Sequence, residues 1–474
     1  MLAGYAQILG LLGRDEERQQ AAEAALATAR RVGARREEGR ALGLLDGEPG
    51  TLGDVDGTLA NLLEARRIAE EQADVDGLGW ACLQLAWVSE EAGRLAEALA
   101  FALEGAEASR RLGSPRWHDG LQATAANMEF RLGRWDEADR HLRAALERDW
   151  LTGPGGVHIR LERARLDIAR GDFAAARRWL EEASGLAAKG GQAQSDAQFG
   201  RLLAVARAEL ALWEGRDEEA FQAANDGLAA SVRAGDEGAE PVLFALGLAA
   251  TADRAERARA HRNAVGVETA RREGDELYGR LEALVNGGAH RRDRELAVVL
   301  TQGRAEHARL HDRPDPATWA AAAAGWEALG QPYPAACARL REAEALLASR
   351  APRAWAEETL RAAYEVAVRL GAVPLRRELE RLAQRGRVQL QTPAEPVPVA
   401  EAEAPSVARS LGLTRREAEV LALLAEGRTN RQIGQELFIT EKTASIHVSR
   451  ILAKLGVAGR GEAAAVAHRL GIGR

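Results

Sequence analysis

A glycine followed by a polar turn recurs at regular intervals along the first half of the chain. The first four copies are spaced by 40 residues each, and two more follow at similar intervals: Gly13, Gly53, Gly93, Gly133, Gly171 and Gly215. A repeat of this length indicates one supersecondary unit that is copied along the chain. Such a unit cannot bury its apolar surface alone and must stack on its neighbours. The sequence therefore predicts a repeat array.

Small side chains recur at fixed distances after these glycines. An alanine stands five residues after the glycine in four of the six copies: Ala98, Ala138, Ala176 and Ala220. Twelve residues after the glycine, every copy has alanine or glycine: Ala25, Ala65, Gly105, Ala145, Ala183 and Gly227. Both positions fall on one face of a helix, where small residues let two helices approach closely.

Apolar residues at helical spacing lie before and after each glycine, so each unit is predicted to be a helical hairpin. Stacked hairpins predict an all-α, right-handed α-solenoid over residues 1–386. The glycine and small-residue pattern resembles the tetratricopeptide repeat, although its 40-residue period exceeds the usual ~34 residues. Tryptophans are expected to fill gaps between helices: Trp80, Trp87, Trp117, Trp135, Trp179 and Trp213.

The glycine marker fades between residues 240 and 385, yet the apolar spacing stays helical. Residues 315–349 and 361–383 are interpreted as two further hairpins. Residues 387–405 then hold four prolines among alternating alanine, valine and glutamate: Pro393, Pro396, Pro398 and Pro405. Proline at this density stops helices and favours extended backbone, so this segment is predicted to be a linker.

The charge of the chain changes sign at this linker. The net charge is -7, but residues 405–474 hold 11 Lys and Arg against 6 Asp and Glu, a balance of +5. The rest of the chain therefore carries -12. Only the C-terminal segment suits a polyanionic partner.

The C-terminal segment has the helix signals of a small DNA-binding domain, predicted over 406–471. Capping boxes at Thr414 with Glu417, and at Thr429 with Gln432, each open a helix. Gly427 is expected to close the first helix, and Thr440 and Gly456 to bound the third. The four predicted helices are 415–426, 430–437, 441–455 and 460–469, with a helix-turn-helix at about 429–448.

The third of these helices is predicted to read DNA. Ala444, Val448, Ile451, Leu452 and Leu455 repeat at helical spacing and are expected to face inward, which leaves an outward face for base edges and phosphates. The start of the second helix adds further phosphate contacts. The predicted DNA-binding residues are Arg428, Thr429, Asn430, Arg431, Lys442, Thr443, Ser445, Ile446, His447, Ser449, Arg450 and Lys454.

The segment closely resembles the LuxR-type (NarL/FixJ-like) helix-turn-helix domain. The resemblance rests on the motif Leu413 to Leu421, on Gly427 to Asn430, and on Ile433, Leu437, Ile439, Thr443, His447, Val448, Ile451, Lys454 and Leu455. It implies that dimers bind inverted half-sites and that the last helix supplies the dimer contact, here through Ala463, Val466 and Ala467. Ala444 replaces the usual valine, and Ser445 and Ser449 stand where basic residues are frequent.

The repeats followed by this domain also resemble the large ATP-dependent LuxR regulators of the MalT-like group. Those regulators begin with a P-loop ATPase, which needs a lysine after its glycine-rich loop. None of the three lysines here, Lys189, Lys442 and Lys454, follows such a loop. The chain also begins inside a helical hairpin, so it is interpreted either as lacking the ATPase domain or as a fragment of a longer regulator.

Other classes of protein find little support in the sequence. There is no bilayer-spanning apolar run or secretory signal, so we expect a cytoplasmic protein that joins the nucleoid when bound to DNA. The first 130 residues hold no lysine, which argues against a phosphorelay receiver. No motif of a hydrolase or a nucleotide-cofactor enzyme is present, so we expect no catalysis and no cofactor. His307 and His311 lie four residues apart, but no nearby ligand completes a known metal-site spacing.

The sequence thus predicts a bacterial transcription regulator, not an enzyme. Its C-terminal domain would bind double-stranded DNA as a homodimer, and its repeats would bind an effector or a protein partner in their concave groove. A protein-interaction scaffold with a vestigial DNA-binding tail remains the alternative, since Ser445 and Ser449 discriminate between bases weakly.

Overall fold

In a computed structural model the chain divides into two compact units, Met1–Pro393 and Ala394–Arg474, and the described residues form α-helices and the turns between them. The structure describes residues 4–6, 9, 14–45, 55–147, 154–190, 193–233, 241–286, 294–390, 415–425, 427–436, 445, 448, 451–452, 454–455, 457 and 459–469. The boundary between the units falls inside the predicted linker. Among the described residues, none of the helices is both long and apolar enough to cross a bilayer.

The described residues of the first unit form consecutive helices joined by short turns. Consecutive helices pack against each other in antiparallel hairpins, and consecutive hairpins stack, as a solenoid requires. The helices are α1 Asp15–Val32, α2 Arg35–Leu42, α3 Val55–Glu71, α4 Val75–Glu91, α5 Leu95–Arg111, α6 Pro115–Arg131, α7 Trp135–Leu146, α8 Pro154–Arg170, α9 Phe173–Gly190, α10 Ala193–Trp213, α11 Asp217–Arg233, α12 Val242–Ala260, α13 Ala264–Asn286, α14 Arg294–Leu310, α15 Pro316–Ala328, α16 Pro332–Ala348, α17 Arg353–Leu370 and α18 Val373–Gly386.

The repeated glycines lie in the turns between helices, as predicted. Gly93, Gly133, Gly171 and Gly215 have φ angles between 70° and 89°, in the left-handed region that suits glycine. Each follows the first helix of a hairpin, where a left-handed residue ends the helix. Gly13 and Gly53 lie outside the described residues.

The small residues of the repeat lie where helices touch. Ala98, Ala138, Ala176 and Ala220 are completely buried. A Cβ added to Gly105 would lie 2.4 Å from the Cβ of Cys82, and one added to Gly227 would lie 2.7 Å from the Cβ of Ala204. Real Cβ atoms do not approach that closely, so the packed helices leave no room for a larger side chain at these two positions.

The turns keep their geometry in the part of the unit where the glycine marker fades. Arg262, Asp312 and Arg350 occupy the left-handed position after α12, α14 and α16, with φ between 55° and 58°. The two predicted late hairpins are present as α15 with α16 and α17 with α18. In the turns inside these two hairpins, Gly330 and Gly371 have φ angles of 71° and 68°, so the left-handed glycine is still present there although its regular spacing is lost.

The later helices of this unit also pack on earlier ones. One core cluster combines residues of α6, α7 and α8 with residues of α16, α17 and α18, among them Trp135, Ile159, Leu340, Leu360 and Leu379. A Cβ on Gly133 would lie 2.6 Å from Cγ of Pro332, at the start of α16. The repeats of this unit thus contact more than their immediate neighbours.

Five of the six tryptophans pack against other helices, as predicted, with different degrees of burial: Trp80, Trp117, Trp135, Trp179 and Trp213. Trp135 is buried, and its indole Nε1 donates to the carbonyl of Phe130 at 3.0 Å. Trp80, Trp87, Trp117, Trp179 and Trp213 are partly buried. The ring of Trp117 lies against Gly79 of the neighbouring hairpin, where an added Cβ would be 2.2 Å from it.

Candidate nucleic-acid interface

The second unit has a small apolar core of its own. Its described helices are α19 Arg415–Ala425, α20 Asn430–Glu436 and α21 Arg460–Arg469, and α21 packs against α19. The buried residues that form this core come from these helices and from the predicted third helix: Val420, Leu421, Leu424, Ala425, Ile433, Val448, Ile451, Ala463 and Ala467. Leu452 and Leu455 pack against it, partly buried. Ala444 lies outside the described residues.

The turn between α19 and α20 has the predicted geometry. Gly427 has a φ of 80° and ends α19, with its amide donating to the carbonyl of Leu424 at 3.0 Å. At the start of α20, the Thr429 amide donates to Gln432 Oε1 at 2.9 Å, and the Gln432 amide donates to Thr429 Oγ1 at 3.3 Å. These reciprocal bonds form the capping box expected from the sequence. Thr414 and the side chain of Glu417, which form the other predicted box, lie outside the described part.

The predicted phosphate-binding residues at the start of α20 are at the surface. Arg428, Thr429 and Arg431 are exposed, and Asn430 is half-buried. The hydroxyl and the amide of Thr429 are already engaged in the capping box. The side chains of Arg428 and Arg431 carry the positive charge that a phosphate contact needs.

The predicted reading helix has a buried and an exposed side. Val448 and Ile451 are buried, whereas Ser445 and Lys454 are exposed. These four residues are helical, which agrees with the predicted third helix, and the two buried ones lie one turn apart on its inner side. The other residues predicted to contact DNA from this helix lie outside the described residues: Lys442, Thr443, Ile446, His447, Ser449 and Arg450.

The three residues predicted to form a dimer contact differ in burial. Ala463 and Ala467 are completely buried in the core of this unit, where they face α19. Val466 is only partly buried. The two alanines therefore serve the packing of a single chain, and a dimer contact through α21 would have to use its outward side chains, Val466 among them.

Sequence reasoning missed the role of Arg460. Its guanidinium, at the first residue of α21, donates to the carbonyl of Arg428 and ties α21 to the turn before α20. A positive charge is unfavourable at the N-terminus of a helix, where backbone amides point outward. That placement is a signal that Arg460 has a partner elsewhere in the fold.

Comparisons with known proteins agree with this geometry. Residues 411–467 match the family model described as "Bacterial regulatory proteins, luxR family". The transcriptional regulatory protein LiaR of Bacillus subtilis is 58% identical over 57 residues, which is 12% of this chain and 27% of LiaR. The spore germination protein GerE of Bacillus subtilis is 48% identical over 59 residues, which is 12% of this chain and 80% of GerE.

A larger regulator also matches over a short region. The HTH-type transcriptional regulator MalT of Yersinia pestis is 41% identical over 68 residues, which is 14% of this chain and 8% of MalT. The chain spans about a quarter of the length of relatives such as LiaR and the transcriptional regulatory protein YhcZ, at 27% and 24%. The similarity to these proteins is therefore limited to a segment the size of one small domain.

Proposed function

The chain belongs to the luxR family of bacterial regulatory proteins, and on that premise we propose that it regulates transcription by binding duplex DNA through its C-terminal unit. That unit carries a LuxR-family helix-turn-helix domain. The observation that carries the proposal is the exposure of Arg428 and Arg431 beside a helix whose opposite side is buried. A helix-turn-helix uses this arrangement to hold the backbone while its next helix enters the major groove.

Electrostatics supports DNA as the ligand of this unit. Residues 405–474 have a balance of +5, although the whole chain carries -7. Exposed Arg428, Arg431 and Lys454 can each replace a counterion on the DNA backbone, which supplies affinity but no sequence information. Reading of bases is assigned to the outward residues of the third helix, including Ser445.

A homodimer on DNA is part of the proposal. A single helix-turn-helix covers one half-site, and two copies related by symmetry double the contacts and fix the half-site spacing. The outward side of α21 is the proposed contact, with Val466 in place of the buried Ala463 and Ala467. Each monomer already buries those alanines against α19, so pairing would not disturb the core.

The helical repeats are the proposed sensor. The chain outside residues 405–474 has a balance of -12, which repels DNA and favours a different kind of partner. Stacked hairpins present extended surfaces that other proteins of this architecture use for binding. We assign an effector or a protein partner to this part, whose binding changes how the C-terminal units pair on DNA.

The test of DNA binding uses the full chain and fragments of the genome that encodes it. We expect a subset of fragments to be retained in preference to bulk DNA at moderate salt. Arg431→Glu should weaken binding to those fragments at least tenfold and make the dependence of affinity on salt less steep by about one unit. The matched control is Arg313→Glu, an equal charge change at an exposed arginine of the repeats, which should leave affinity within twofold.

Two results would contradict the proposal. One is retention of no fragment above bulk DNA, as expected of a scaffold with a vestigial tail. The other is that Arg431→Glu binds the fragments as tightly as the unaltered chain does, whereas Arg313→Glu binds them more weakly.

A further inference from the structure

Two histidines and an aspartate converge between α13 and α14. His307 and His311 lie one turn apart on α14 and at its C-terminal end, and Asp275 lies on α13. The Nε2 atoms of both histidines lie 2.7 Å from the same atom, Oδ1 of Asp275. The three potential ligand atoms are all within 4.8 Å of one another. Sequence spacing alone did not reveal this cluster, because Asp275 stands 32 residues before His307.

Neighbouring side chains fix the orientation of the rings. The ring of Tyr278 stacks on His307, with centroids 4.3 Å apart and planes 16° from parallel. The two imidazoles meet edge to face at 4.8 Å. The Tyr278 hydroxyl in turn donates to Glu282 Oε1 at 2.7 Å, which holds the stacking ring. Outer contacts of this kind orient ligands before a metal arrives.

We propose that His307, His311 and Asp275 form a binding site for a divalent transition-metal ion of the Zn²⁺ type. Imidazole nitrogen with one carboxylate oxygen is a ligand set that Zn²⁺, Co²⁺ and Ni²⁺ accept, whereas Mg²⁺ and Ca²⁺ prefer oxygen ligands throughout. Among the described residues the cluster has three ligands. A fourth position is therefore left for water or for an added ligand, as in metal sites with exchangeable ligands.

The three ligand atoms, which lie within 4.8 Å of one another, must adjust their spacing to hold the ion. Ligand atoms of a tetrahedral zinc site lie about 3.3 Å apart, given bond lengths of about 2.0–2.1 Å. The two 2.7 Å distances to Asp275 must therefore lengthen by a few tenths of an ångström. The side chain of Asp275 is 50% exposed and can rotate to allow this.

The site would link two successive helices of the repeat array. Metal binding to the folded chain raises its stability in proportion to the logarithm of free metal over Kd. The same contacts act as hydrogen bonds without metal, with both imidazoles donating to one carboxylate oxygen. Binding therefore replaces an existing link between α13 and α14 with a stronger one.

The experiment uses the full chain without a histidine tag, freed of metal by a chelator. We expect Zn²⁺ alone to bind at one equivalent per chain in calorimetry and to raise the thermal unfolding midpoint, and Mg²⁺ alone to do neither. Co²⁺ alone should give visible absorption bands of a four- or five-coordinate site. His311→Gln and Asp275→Asn should each weaken Zn²⁺ binding at least tenfold and remove the Co²⁺ bands.

The control is His261→Gln, which changes an exposed histidine at the end of α12, outside the cluster. It should leave Zn²⁺ binding unchanged. Helical circular dichroism checks that each variant folds. If His311→Gln does not fold, Asp275→Asn provides the test of the site. The proposal is overturned if Zn²⁺ does not bind stoichiometrically, or if both cluster variants bind it as tightly as the control. Since no DNA is involved, this result is independent of the proposed regulatory function.

Discussion

Single residues show how the same turn is built from different side chains. Gly93 and Gly215 adopt the left-handed conformation without strain, whereas Arg262, Asp312 and Arg350 adopt it at a cost of about 1 kcal/mol each. The packing of the flanking helices determines the backbone conformation of the turn, and the residue at that position adopts it whatever its side chain. A left-handed residue therefore recurs in the turns between helices of this chain, and glycine is its commonest but not its required occupant.

Asp217 is a buried acid whose ionisation opposes folding. It is 4% exposed, and its Oδ1 has no hydrogen-bond partner among the described residues, although Oδ2 lies 2.8 Å from Nη2 of Arg257. Burial, reinforced by the carboxylate of Asp253, raises the pKa of Asp217 to about 6 against the effect of Arg257. An aspartate in an unfolded chain has a pKa of about 3.9. The folded chain therefore binds more protons between these values and loses stability as the pH rises through them.

Asp217→Asn should stabilise the chain at neutral pH because asparagine carries no charge to desolvate. We expect the free energy of unfolding to rise by about 1 kcal/mol at pH 7 and to change little at pH 4. Denaturant titrations at the two pH values measure this. Asp226→Asn, at an exposed position on the same helix, is the control and should have no pH-dependent effect. A loss of stability at pH 7 would show that the pair with Arg257 outweighs the burial of the charge.

At the scale of the element, α20 depends on its first turn. The helix has seven residues and few internal hydrogen bonds, so the capping box of Thr429 and Gln432 contributes a large share of its stability. Ile433 anchors its inner side in the core. The same turn carries Arg428 and Arg431, which links the stability of α20 to the placement of the proposed phosphate contacts.

Thr429→Ala should loosen this helix. Removal of the hydroxyl leaves the Gln432 amide without its partner, at a typical cost of about 1 kcal/mol. Amide hydrogen exchange followed by mass spectrometry should then be about fivefold faster in α20 and unchanged in α13 and α14. Thr429→Ser retains the hydroxyl and should exchange like the unaltered chain. Equal exchange in the alanine variant would mean that the core alone holds α20.

At the scale of the molecule, the first unit departs from an ideal repeat array. In such an array each repeat contacts only its neighbours, and stability is a sum of local terms. Here α16, α17 and α18 share a core with α6, α7 and α8. Arg131, at the end of α6, also pairs with Glu90 and with Glu295 on α14. These contacts between distant repeats should make the unit unfold more cooperatively than a linear array.

Substitutions at two turn glycines can distinguish the energetic cost of this long-range packing from the cost of local backbone strain. Gly113 and Gly133 have nearly equal φ angles of 73° and 74°, but an added Cβ meets nothing within 4 Å at Gly113 and lies 2.6 Å from Pro332 at Gly133. Alanine should cost about 1 kcal/mol at Gly113 through backbone strain. Gly133→Ala should cost a further 1–3 kcal/mol, approximately, from overpacking. Denaturant titration measures both, and equal losses would contradict a tight contact between α6–α7 and α16.

The sequence by itself determined the local structure of this protein. Several local features can be predicted from residues close together in the sequence, because they depend on backbone conformation and on contacts within a hairpin. They are the helical spacing, turn glycines such as Gly93, small residues such as Ala98, and the capping box of Thr429. The charge reversal and the LuxR-type motif likewise indicated the C-terminal domain directly. These features need no knowledge of distant contacts.

The tertiary structure decided which distant residues meet. It buried Ala463 and Ala467 against α19, tied Arg460 to Arg428, packed α16 against the turn at Gly133, and brought Asp275 to His307 and His311. No periodicity in the sequence encodes these contacts, since each depends on how whole helices are oriented and on how much volume their side chains fill.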